Sequence, residues 1–146
     1  MELKLNKNKH DNYGKKLFEN IADYSNIYQK CNTKYGEKGR GSSIDGVIKD
    51  RIAIEIESRV SKQIRGAILD LYLHYNPKKL LILIPVHMNN PTITKSQSEY
   101  LLERLCKTNN DFQVVILNGD GNNNQYCKED RETIKAALIK LGEKII

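Results

Sequence analysis

Tryptophan is absent from this 146-residue chain, and so is any apolar run of the length a membrane-spanning helix requires, about 18 residues. No membrane association is therefore expected. Cysteine is scarce: Cys31, Cys106 and Cys127 are odd in number and lack C-x-x-C spacing. They read as ordinary thiols of a reducing compartment, not a disulfide frame or a zinc site. His10, His74 and His87 are isolated, and none lies at metal-type spacing from a cysteine or another histidine. The opening "MELKLNKNKH" lacks the apolar core of a signal peptide, so a cytoplasmic location is expected. Internal repeats are missing, and the only biased stretches are short and Asn-rich.

Acidic residues are in deficit. Lys and Arg number 24 against 18 Asp and Glu, giving a formal charge of +6 and a sequence pI of about 9.2. Residues 1–40 hold nine Lys/Arg and five Asp/Glu, so most of the excess lies toward the N-terminus. A basic chain suits an anionic partner, nucleic acid first.

What the chain does have is periodic aliphatic runs, enough at this length for one domain, residues 1–146, with a proper core. Residues 1–12 are polar and read as a loose arm or a short edge strand. Leu17, Ile21, Tyr24, Tyr28 and Cys31 recur at helical spacing and predict a helix over 13–31. "NTKYGEKGRGSS" then reads as a flexible loop. "IDGVIKDRIAIEIES" holds two β-type runs around Lys49-Asp50, next to Arg51, and predicts a hairpin. From Ser61, a good N-cap type, Ile64, Ala67, Ile68, Leu71, Tyr72 and Tyr75 mark an amphipathic helix, with Pro77 just past its end.

"KKLLILIPV" is a strand covered on both faces. "HMNNPTIT" reads as a loop, and Ser96 with Glu99 as a capping box opening a helix to Lys107. "FQVVILNGD" is a second buried strand. The last helix spans 129–141, with Ile134, Ala137, Leu138 and Leu141 facing inward. Strands joined through helices pair in parallel, with helices on both sheet faces. The expectation is a single α/β domain whose mixed central sheet includes a β-hairpin and is flanked by helices.

The hairpin carries the candidate chemistry. In "IAIEIESRVSKQ", residues 52–63, alternation puts Ile52, Ile54 and Ile56 on one face and Ala53, Glu55 and Glu57 on the other. Two carboxylates side by side repel unless a cation lies between them. A turn near residues 49–51 brings Asp45 across from positions 54–56, so one cation could touch both Asp45 and Glu55. Three carboxylates form a hard, oxygen-rich set that suits Mg²⁺ far better than zinc. Such an ion polarises a phosphate and activates water. Ser61, Lys62 and Gln63 open the next helix, where its N-terminal amides can orient a phosphate. The competing reading is a solvated strand face, with Glu55 and Glu57 paired to Arg51, Arg59 or Lys62.

"IDG" followed by "IEIES" resembles the PD-(D/E)xK nuclease signature. Asp45 matches its first acid, Glu55 its second, and Glu57 stands where the lysine usually is. The element order over residues 13–118 is similar to the αβββαβ core of that restriction endonuclease-like superfamily, in which Glu at the third position is a minority pattern. The resemblance implies a Mg²⁺-dependent endonuclease hydrolysing double-stranded DNA, of the type II restriction class, with Asp45 and Glu55 as metal ligands and Glu57 as a third catalytic acid. One site per chain implies a homodimer whose two-fold axis matches a palindrome. Glutamate cannot donate the lysine's positive charge, so Glu57 would join the metal shell or accept the water's proton, with Lys62 as a candidate substitute cation. Other readings are a structure-selective nuclease such as a Holliday-junction resolvase, and a catalytically silent DNA-binding domain.

Glu19 is a further acid to consider on the N-terminal helix, although it projects opposite the apolar stripe. Gln63, Arg59 and Arg65 are candidates for the DNA backbone. The loops "HMNNPTITKSQ" and "NGDGNNNQY" offer Asn89, Asn90, Lys95, Asn122, Asn123, Asn124 and Gln125, side chains able to bond base edges. Asn and Gly are also plain turn formers. "GDGNNN" lacks the terminal glutamate of a calcium loop and is rejected as one.

Overall fold

Alternation along one strand organises both layers of the core. In the computed structural model, which describes residues 2–21, 24–25, 31–32 and 43–145, strand β5 (Ile52–Glu57) is buried along its whole length. Ile52, Ile54 and Ile56 enter one apolar cluster, and Ala53 enters the other. Around β5 the described elements run, in order, α1 (Glu2–Lys16), β1 (Tyr24–Ser25), β2 (Cys31–Asn32), β3 (Ser43–Ile44) and β4 (Gly46–Ile48). After β5 come α2 (Lys62–Leu73), β6 (Lys78–Leu83), a single 3-10 turn (Pro85–His87), α3 (Pro91–Cys106), β7 (Phe112–Ile116) and α4 (Cys127–Lys140). The main sheet has the order β1-β4-β5-β6-β7, and β2 pairs separately with β3.

The expected hairpin forms, with β4 antiparallel to β5 around the turn at 49–51. β5, β6 and β7 are parallel neighbours, as the intervening helices require. The aliphatic run of β6 is central and covered on both sides, with Leu80 and Ile82 in one cluster and Leu81 and Leu83 in the other. Tyr13, Leu17, Phe18, Ile134, Ala137 and Leu138 close the first face; Ile64, Ala67, Ile68, Leu71 and Leu102 close the second. Each such side chain contributes about 1.5–3 kcal/mol by leaving water. The chain is thus a single-domain α/β fold with a mixed sheet between two helical layers.

Several sequence expectations need correction. The first helix occupies Glu2–Lys16, not 13–31, so the polar arm expected over 1–12 is helical. A turn follows at 17–20, where Asn20 takes the left-handed conformation (φ 69°) that ends a helix. Tyr24 then lies in β1 and Cys31 in β2, while Tyr28 and most of the loop 32–43 lie outside the described residues. Ser61 precedes α2 without a side-chain capping bond. Tyr72 and Tyr75 do not join the stripe and are exposed, because the buried face of α2 ends at Leu71. α3 starts five residues before the proposed capping box: Asn90 is its N-cap, accepting from the Ile93 amide at 3.2 Å, with Pro91 in the first turn. The last helix begins at Cys127 and presents Ile134, Ala137 and Leu138 inward, as expected. Cys106 and Cys127 are free thiols; the side chain of Cys31 lies outside the described residues.

Candidate functional site

The hairpin register pairs Gly46 with Ile54, which puts Asp45 across from Glu55. Asp45 occupies a bend between β3 and β4. Its backbone amide donates to Glu55 Oε1 at 3.0 Å, and its own Oδ2 accepts from the Ile56 amide at 2.7 Å. The Asp45 carboxylate thus takes the position of a strand carbonyl where the backbone leaves the ladder. Both acids are fixed by main-chain bonds, so their separation does not depend on side-chain freedom.

Glu55 is 9% exposed and Glu57 5%. The end of β5 is therefore covered on this side too, not solvated, although the Glu57–Arg59 pairing expected of a solvated face is present. Glu57 has its own counter-ion. Its Oε2 accepts from the Arg59 amide (2.9 Å) and Nε (3.0 Å), and Oε1 accepts from Nη2 at 3.0 Å. Arg51, the other arginine considered, bonds Glu143 with two 2.9 Å contacts and takes no part.

Among the described residues Glu55 forms no ion pair, although it adds weakly to the field on Arg59. Burial, then Asp45 and Asp70, push its carboxyl up to about 10. Burial raises Asp45 to about 6, reinforced by Asp11 and Glu57 and opposed by the Ile56 amide and Lys15. Arg59 is shifted upward, chiefly through its bond to Glu57. The two acids adjoin, and each raises the cost of ionising the other.

Asp45 Oδ1 and Glu55 Oε2 accept no hydrogen bond among the described residues. Among those residues no three His, Cys, Asp or Glu side chains form a group able to cage a metal. Two carboxylates are as many as an ion of the Mg²⁺ kind takes from protein when water and substrate phosphate complete its shell. The pair does not fit an all-protein cage. Glu57, saturated by Arg59, is not a third ligand in this arrangement.

Helix α1 completes the site and was not placed there by sequence reasoning. A Cβ on Gly14 would stand 2.8 Å from Ile56 Cγ2, so α1 lies directly against the end of β5. Asp11, one turn before Gly14, and Lys15, directly after it, lie in the field of Asp45. The i,i+4 spacing of these two charges was visible, but the helix holding them was read as starting too late. His10 of the same turn meets His87 edge-on at 6.3 Å between ring centres. Glu19 is not at the site; it lines a separate cleft with Arg51 and Arg131.

Lys62, Gln63 and Arg65 are exposed on α2. The cation that weighs most on Asp45 is Lys15. Arg65, Asn89 and Asn90 line one groove of about 710 Å³ between α2 and α3, next to the 3-10 turn. Lys95 is half-buried on α3. The loop 122–125 is exposed but largely committed to its own turn. Asn122 bonds Asp120 and Lys9, Asn123 Oδ1 accepts the Gln125 amide at 2.9 Å, and Asn124 Oδ1 accepts from Lys16 at 3.2 Å. Turn formation explains those asparagines without base reading.

No protein-family model, curated protein or solved structure matches this chain. Function therefore rests on the site itself.

Proposed function

We propose that the protein is a Mg²⁺-dependent DNA endonuclease of the PD-(D/E)xK type, cutting double-stranded DNA at a specific sequence as type II restriction endonucleases do. The observation that carries this is the Asp45–Glu55 pair: two acids linked by main-chain bonds across the hairpin, one of them nearly sealed, with no ion pair to Glu55 among the described residues. Bound there, Mg²⁺ would polarise the scissile phosphate and lower the pKa of a water.

The chain's own residues do the rest. Asp45 and Glu55 hold the ion, and Glu57 holds Arg59. The Arg59 side chain is 49% exposed beyond Glu57, so its guanidinium can reach a phosphate oxygen from the position where the family pattern has a lysine. In this reading the missing lysine is replaced by a Glu–Arg pair, and the Arg supplies the charge stabilisation. Arg65, Asn89 and Asn90 border the adjacent groove and, with Lys95 of α3, meet the DNA. A homodimer places two such sites on the two strands of a palindrome.

A second reading is a catalytically silent DNA-binding domain. It is favoured by one fact, the saturation of Glu57 by Arg59, which leaves only two carboxylates for a metal. Plasmid DNA incubated with the protein and Mg²⁺ separates the two. Discrete fragments that vanish in Asp45→Asn support the enzyme, and intact plasmid with retained binding supports the silent domain.

A further inference from the structure

A second cleft, of about 780 Å³, opens between the hairpin turn, the residues after α1 and the end of α4. It lies at the start of β5, beside Arg51, whereas Glu55 and Glu57 lie four and six residues further along the strand, about 13–20 Å away. Its size is that of a small-ligand pocket, about 300–1,000 Å³.

Its chemistry is cationic. Arg51 and Glu143 neutralise each other through their paired 2.9 Å bonds. Among the described residues, what remains facing the cleft is Arg131, Lys135 and Lys144 against one acid, Glu19. Arg131 and Lys135 are four apart on α4 and share a helix face. Lys135 also stands 3.8 Å from exposed Glu132, a loose surface pair.

The deciding feature is Arg131. Its Nε is buried and has no hydrogen-bond partner among the described residues, and its Nη2 makes only a long 3.5 Å contact with the Lys16 carbonyl. A buried guanidinium donor left unpaired is costly and rare. The same guanidinium borders the cleft, and an anion with several acceptor oxygens, seated between Arg131 and Lys135, would engage its accessible Nη edge.

We propose that this cleft is a phosphate-binding site, with Arg131 as the recognising group and Lys135 as its partner. The phosphate belongs either to a free small molecule or to a nucleic-acid backbone wrapping past the hairpin end, and the test separates the two. Calorimetry with inorganic phosphate and pyrophosphate should show binding to the wild-type protein. Arg131→Gln should weaken it by about tenfold or more, as loss of a charge-assisted hydrogen bond implies, and Lys135→Gln should weaken it less. The same variants are titrated with a short duplex in Ca²⁺. Unchanged duplex affinity identifies a free phosphate ligand. Reduced duplex affinity, with pyrophosphate competing against the duplex, identifies the backbone. If Arg131→Gln fails to fold by circular dichroism, the half-buried Lys135 and exposed Lys144, changed together as Lys135→Gln with Lys144→Gln, carry the comparison. The proposal is overturned if the wild type binds neither phosphate nor pyrophosphate and duplex affinity is unmoved by these changes.

Discussion

A carboxyl held at about 10, as Glu55 is, stays protonated at neutral pH in the folded protein and ionises in the unfolded chain. Its stabilising contribution is full below the unfolded value of 4.5 and is lost as pH rises toward about 10. Asp45 has the same sign over a narrower window, 3.8 to about 6. Without divalent ions, Glu55→Gln keeps the acceptor for the Asp45 amide and removes the ionisable group. Thermal melts should show it more stable than wild type at mildly alkaline pH, by about 1–3 kcal/mol, with the gap closing as the solution is made acid. Mg²⁺ must displace the Glu55 proton, so it should stabilise the wild type increasingly as pH rises and leave Glu55→Gln unmoved. Cleavage should be lost in Glu55→Gln; a variant that cuts at the wild-type rate ends the nuclease assignment. Glu57→Lys is the companion test. It restores the family's usual residue but sets a second cation against Arg59, so activity should fall severely, and the paired change with Arg59→Glu should recover stability before activity. The Asp45–Glu55 contact was readable because hairpin register follows from turn position. The burial of Glu55 and Glu57 was not, since it depends on helices elsewhere in the chain covering the strand end.

Helix α1 is the element on which the site and the sequence reading diverge most. Its apolar stripe was traced forward from Leu17 because Ile21, Tyr24, Tyr28 and Cys31 keep helical spacing, yet the chain turns at 17–20 and Tyr24 enters a strand. The breaker was Asn20, whose left-handed backbone a periodicity count does not register. α3 was misplaced for a related reason. Asn-Pro at 90–91 competes with Ser96/Glu99 as a start signal, and a cap followed by proline at the first helical position wins. β5, β6, β7 and α2 were readable because burial on both faces, or on one stripe, leaves a strong local pattern. α1 is held by small residues at close approach. Gly119 faces the Tyr13 hydroxyl, which donates to Asp130 Oδ2 at 2.5 Å; Asp130 is fully buried and also takes the amides of Asn118 and Gly119 at 2.8 Å. Gly119→Ala forces the Tyr13 ring aside and should cost about 1–3 kcal/mol, measurable by urea denaturation. Because α1 also carries Asp11 and Lys15 to the site, cleavage should drop more than folding stability alone explains. If stability falls and the activity of the folded fraction does not, α1 has no part in the chemistry.

Over the whole molecule, charge and acid are set against each other. The chain carries a formal +6, yet the proposed cutting site gathers Asp11, Asp45, Glu55, Glu57 and Asp70 within one field. DNA can approach only if cations around that pocket outweigh it: Lys15, Arg59, Arg65 and Lys95 on the near side, with Arg131 and Lys135 at the far end if the second cleft serves the backbone. Binding should therefore depend strongly on salt through counterion release, with a log–log slope that shrinks by about 0.9 for each phosphate contact removed. Fluorescence titration of a duplex across a salt series in Ca²⁺ measures this. Arg65→Ala and Lys95→Ala should each lower the slope by about that amount. Asp45→Asn should instead tighten binding in the absence of divalent ions, because it removes charge that repels phosphate. Adding Ca²⁺ should tighten the wild type and leave Asp45→Asn nearly unchanged, since the ion's charge reverses the sign of the wild-type pocket. A flat salt response removes DNA as the partner. A steep one with no Ca²⁺ effect keeps DNA but removes the metal, and leaves the silent binding domain.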